Sequence, residues 1–110
     1  MEVAMAMPSL TTTASQIASA LGLSEDELSR QALISFLRDQ KRDTLQLHLD
    51  ILARYGAQSL EGLEAKIAEG TLVEHPAWED LIVAENLNAR LEELDAYLDR
   101  LQSVATDRAA

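Results

Sequence analysis

Apolar residues recur at helical spacing along most of the chain, and the stretches that carry them are separated by few turn signals. Residues 3–7 are apolar and short enough for a strand or a tail. Pro8 and the run Thr11-Thr12-Thr13 delay helix onset. The first helix is therefore expected over Ala14–Leu21, capped by Thr13 or Ser15 and stopped by Gly22. Its apolar face is Ile17, Ala18 and Leu21.

Ser24-Glu25-Asp26-Glu27 is a second start signal, with a capping hydroxyl, a capping-box glutamate and acids at the positive helix end. Leu28, Ala32, Leu33, Phe36 and Leu37 follow on one stripe. Residues 38–44 then contain no apolar side chain, yet no glycine or proline either. They join two halves of one helix or form a loop between two. Leu45, Leu49 and Leu52, with Leu47, Ile51 and Tyr55, resume the pattern up to Gly56. Their alternation also fits a strand, against the helical signals on both sides.

Ser59 and Gly70 bracket a short helix whose buried face is Leu60, Leu63 and Ile67. Pro76 opens the last helix, expected over Ala77–Val104, at a position where its missing N–H costs nothing. Leu87, Leu91, Leu94, Leu98 and Leu101 repeat there in steps of four, three, four and three, the spacing of a coiled-coil seam. Trp78, Leu81 and Ile82 project from another side. Beside the seam run Glu85, Glu92, Asp95 and Asp99, none with a lysine or arginine four residues on. The expected architecture is all-α: short N-terminal helices, a long central helix either continuous or broken near 38–44, a short helix, and a long amphipathic C-terminal helix.

Composition sharpens this picture. Among 110 residues the aromatics are Phe36, Tyr55, Trp78 and Tyr97, so the core rests on Leu, Ile and Ala, which favours helices. The net charge is −10 and uneven. Residues 1–44 hold six acids and four bases, net −2, whereas 45–110 hold thirteen and five, net −8. An acidic surface repels phosphate backbones and suits a basic protein. Residues 1–44 are thus expected to form a dimerisation or DNA-binding-like unit, and 45–110 an acidic partner-binding region. The partner-binding set is Trp78, Leu81, the five seam leucines and the four acids beside them.

The chemistry of catalysis is missing from the sequence. There is no cysteine, and neither His48 nor His75 has a second ligand at metal spacing. No phosphate-cradling glycine loop or nucleophile elbow occurs. No apolar run approaches the ~20 residues that cross a bilayer. A cytoplasmic, non-enzymatic protein without a cofactor or membrane contact is expected.

Ser15–Leu28 has helix-turn-helix spacing: Ala18 lets helices approach, Gly22 turns the chain and Leu28 packs the second helix. That second helix opens on three acids, which leaves Arg30, Arg38, Lys41 and Arg42 as the residues able to meet DNA. The stretch also has the order of a degenerate ribbon-helix-helix. With Ala53-Arg-Tyr-Gly56, Ser59-Leu-Glu-Gly-Leu-Glu64 and Glu74-His-Pro-Ala-Trp-Glu-Asp80, the chain resembles the antitoxin halves of small prokaryotic toxin–antitoxin operons over roughly residues 10–101. The resemblance implies an N-terminal module that dimerises and binds its operator, and an acidic helical part that wraps and blocks a small basic toxin. Ala4, Met5 and Ala6 depart from it, since polar or basic residues read bases in that ribbon. Three readings follow: antitoxin-like neutralisation of a small basic partner by a homodimer, transcriptional regulation by DNA binding through residues 15–42, and self-assembly through the leucine seam.

Overall fold

The structure, a computed structural model, describes residues 9–72 and 74–109. The strand or tail expected at residues 3–7 lies outside them. Four helices follow in order: α1 Leu10–Leu21, α2 Glu25–Arg54, α3 Leu60–Ala68 and α4 Glu74–Ala109. Among the described residues there is no strand. The all-α expectation holds.

α1 starts earlier than the threonines suggest. Ser9 is extended, and its Oγ accepts from the Thr12 N–H at 3.0 Å, taking up one of the donors a helix start leaves orphaned. Such a cap contributes about 1 kcal/mol. That offsets much of the weak helix propensity of the Thr run, a fraction of a kcal/mol per residue. The threonines therefore lie inside the first turn. At the other end Gly22, at φ 73°, donates to the Ser19 carbonyl while Leu23 N–H reaches Ala18 O at 2.8 Å, a Schellman closure.

α2 is one unbroken helix. Ser24 Oγ accepts from Glu27 N–H at 3.0 Å at its start, and residues 38–44 remain helical because nothing in them removes a backbone donor or favours a positive φ. Leu45–Ile51 is helical as well, so the strand alternative falls. The helix closes at Gly56, at φ 65°, where Gly56 N–H donates to Ala53 O and Ala57 N–H to Leu52 O. Ser59 caps α3 through Gly62 N–H at 2.9 Å, and Pro76 sits in the first turn of α4.

The chain divides into two compact units, Met1–Phe36 and Leu37–Ala110. The division falls within α2. In the second unit Lys41 of α2 forms an ion pair with Asp95 of α4. In this second unit Ile51, Leu52, Leu63, Ile67, Ala77, Leu81 and Ala84 form the core, with Tyr55, Leu60, Leu72 and Leu87 packed around it. Leu63 and Leu81 are wholly enclosed, and each contributes roughly 1.5–3 kcal/mol by leaving water. Ala77 and Ala84 are enclosed too, and their small side chains allow close approach to α4.

Among the described residues no helix is long and apolar enough to cross a membrane.

Candidate functional site

The leucine seam of α4 is core. Leu91, Leu94 and Leu98 are 9, 5 and 7% exposed within the single chain, while Leu87 and Leu101 are half-buried. Heptad spacing alone left open whether this seam packs within the chain or against another; Leu91, Leu94 and Leu98 are buried by the chain itself, and Leu87 and Leu101 partly so. Within the second unit α2 and α4 run antiparallel, and their register is set by polar contacts along their length. Lys41 Nζ meets Asp95 Oδ1 at 2.7 Å, and His48 Nδ1 donates to Ala84 O at 3.1 Å. Near the end of α2, Arg54 and Tyr55 both reach Asp80. Leu81, grouped with Trp78 by sequence, is likewise enclosed.

What α4 leaves outside is a second stripe, turned away from the first. Trp78 and Ile82, one turn apart, are 41 and 54% exposed. Continuing in steps of three and four come Glu85, Ala89, Glu92, Ala96 and Asp99, all exposed. At the helical angle per residue these seven lie within roughly 100° of arc. The stripe joins two large apolar side chains to a line of small residues and carboxylates. Sequence reasoning singled out Trp78, Glu85, Glu92 and Asp99 but not the alanines between them. The same heptad stepping, begun at Trp78 instead of Leu87, would have found the stripe.

A family model described as the uncharacterized protein MJ0235 family matches residues 5–105. The chain belongs to that family. No curated protein and no solved structure matches it. The match to the MJ0235 family runs through all four helices, so both the sealed seam and the outer stripe of α4 fall inside the shared region.

Of the acids expected to face a partner of this MJ0235-family chain, Asp95 is engaged by Lys41 across the helix pair, a partner that helical spacing within α4 could not reveal. The cations proposed for DNA are mostly engaged as well. Arg30 forms a two-pronged pair with Glu27, and Arg42 meets Asp39 at 3.1 Å. Phosphate would have to displace three carboxylates, from Arg30, Lys41 and Arg42. Arg38 is exposed and pairs with no described residue.

His48 is buried among the apolar side chains of the second unit, its ring N–H satisfied by the Ala84 carbonyl. His75 is exposed and lies 3.1 Å from Glu79 one turn on. Among the described residues no three His, Asp or Glu side chains are grouped to hold a metal ion. Tyr55 donates its hydroxyl to Asp80, which Arg54 also contacts at 3.1 Å. That hydrogen bond, with desolvation and the charge of Asp80 adding to it, raises the Tyr55 pKa above 10.0 against the opposing pull of Arg54.

Proposed function

We propose that this chain is a non-catalytic protein-binding module that uses the outer stripe of α4 to hold a small basic protein. The observation that carries the reading is Trp78 and Ile82, both exposed one turn apart on the same stripe as Glu85, Glu92 and Asp99, while Leu91, Leu94 and Leu98 are buried. An exposed tryptophan is the side chain most often found to anchor an interface. The three carboxylates would steer a cationic partner and fix its register along the helix. A partner helix or groove laid on the stripe would find large side chains at one end and alanines further along, so it could approach closely there. The leucines take no part.

A photo-cross-linking residue placed at Ile82 in the native host tests this. The expected product is a covalent adduct with a small protein of net positive charge, weakened by Glu85→Lys with Glu92→Lys and by high salt. Absence of an adduct, or one indifferent to those charges, rules the stripe out as the binding face.

The neutralising, antitoxin-like form of this reading adds one requirement: the captured protein must be harmful alone. Its expression should arrest growth, and co-expression of the wild-type chain should restore it where the Trp78→Ala, Ile82→Ala double variant does not. What supports this form is the acidity of the stripe, complementary to a small basic toxin.

A further inference from the structure

We propose that the open groove between α1 and the first turns of α2 is a self-association surface, filled by α1 of a second copy of this chain. Everything involved lies in the unit Met1–Phe36 and uses no residue of α4. Leu10, Ala14, Ile17 and Leu21 stand on α1 in steps of four, three and four, within roughly 60° of arc. Placing the helix start at Ala14 had hidden the first member of this stripe. Leu10, Ala14 and Ile17 form one wall of a groove of about 460 Å³, and Leu28 and Ala32 form the other. Leu10 is 85% exposed, Leu21 64% and Phe36 59%. Among the described apolar residues of this unit, Ala18 and Ile34 are the buried ones. So little sealed apolar surface is a thin basis for a stable helical hairpin.

Area and charge both point to a second copy. Leu10, Ile17 and Leu21 on the α1 stripe, with Phe36 one turn beyond Ala32 on α2, leave roughly 450 Å² of apolar surface in water, within the upper range that a monomer tolerates. Two such faces brought together remove roughly 900 Å², close to the size at which specific interfaces begin. Charge separates this occupant from the basic protein proposed for α4. α1 contains no ionisable side chain, so a cationic partner would find no carboxylate along it. Two copies that each carry −10 repel least where both are uncharged. The acids nearest the groove, Glu25, Asp26 and Glu27, are gathered at the start of α2, and only Glu25 lines its edge. A symmetric pairing places each α1 stripe against the partner's groove, so the same residues serve both sides.

The chain has no cysteine, which makes single-cysteine variants a direct probe. Under mild oxidation Ile17→Cys should give a covalent dimer, whereas Gln16→Cys, roughly 130° round α1 from the centre of the stripe, should not. In sedimentation equilibrium the wild type should be dimeric. Ile17→Glu should raise the dimer dissociation constant by roughly two orders of magnitude or more, with helix content retained because residue 17 is already exposed. Ile82→Glu should leave the dimer intact, so failure of this inference and failure of the α4 reading are separable. A wild type that is monomeric, whether the groove is open or taken by another protein or by the chain's own first residues, overturns the proposal. So does equal cross-linking from positions 16 and 17.

Discussion

His48 donates from Nδ1 to the main-chain oxygen of Ala84, joining α2 to α4 at 3.1 Å between the ion pair of Lys41 with Asp95 and the contacts of Arg54 and Tyr55 with Asp80. The histidine is buried, and Ala84 presents no side chain large enough to hold the helices apart. His48→Ala removes both the hydrogen bond and the volume of the ring. A loss of about 2–4 kcal/mol is expected, read from urea unfolding with an unchanged m-value. A change below ~0.5 kcal/mol would mean that the ring does not bridge the two helices.

The fate of Leu94 distinguishes a sealed seam from an open one. It is 5% exposed, and a carboxylate there would be buried without a partner. Leu94→Glu should therefore unfold much of the second unit, costing more than ~3 kcal/mol, and helix content by circular dichroism should fall. Had the five leucines formed an interface between chains, the same change would leave a folded protein and alter its oligomeric state alone.

Much of this architecture was legible in the sequence because its signals are local. Ser24, Ser59, Gly22, Gly56 and Gly70 end or begin helices through contacts within five residues, and each does so where it was expected to. The continuity of α2 through residues 38–44 was open because a polar stretch is compatible with either helix or loop. The stretch is helical in the structure, in keeping with its lack of glycine and proline. The candidate site was less legible for the same reason. Heptad spacing in Leu87–Leu101 marks a buried stripe but not which chain buries it, and the contact to α2 beside it, from Lys41 to Asp95, spans residues far apart in sequence. Trp78 and Glu85 were expected to face a partner, and both are exposed. The alanines that complete their stripe carry no signal until the opposite face is known to be core.

Tyr55 and Asp80 give the protein an alkaline limit of defined sign. The Asp80 hydrogen bond raises the Tyr55 pKa above 10.0, so folding favours the protonated phenol. The stability this contributes is fully present below pH 10 and is lost as the pH rises through the folded value. Titrating phenolate absorbance should show one tyrosine ionising above the ordinary range, and Asp80→Ala should return it towards 10.0. In Tyr55→Phe the alkaline fall in thermal stability should be shallower than in the wild type. An alkaline fall equal in the two proteins would show that Tyr55 is not its source.

Trp78 is the chain's single tryptophan, which makes the proposed binding face spectroscopically visible. At 41% exposure its emission in the free protein should be that of a partly hydrated indole, and a partner seated on the stripe should shift it to the blue. Trp78→Ala should weaken binding by roughly 2 kcal/mol or more if the side chain is an anchor, or about thirtyfold in Kd. The same change should cost the folded chain roughly 1–3 kcal/mol, because more than half of the side chain is covered, so binding is compared where both proteins are fully folded. Ile82→Ala should follow the same division, with a smaller effect on binding. A Trp78→Ala variant that binds normally but melts early would make the indole a structural residue and remove α4's outer stripe from consideration. Binding lost in a variant that is still fully folded at the temperature of the assay is the result that only an interface residue gives.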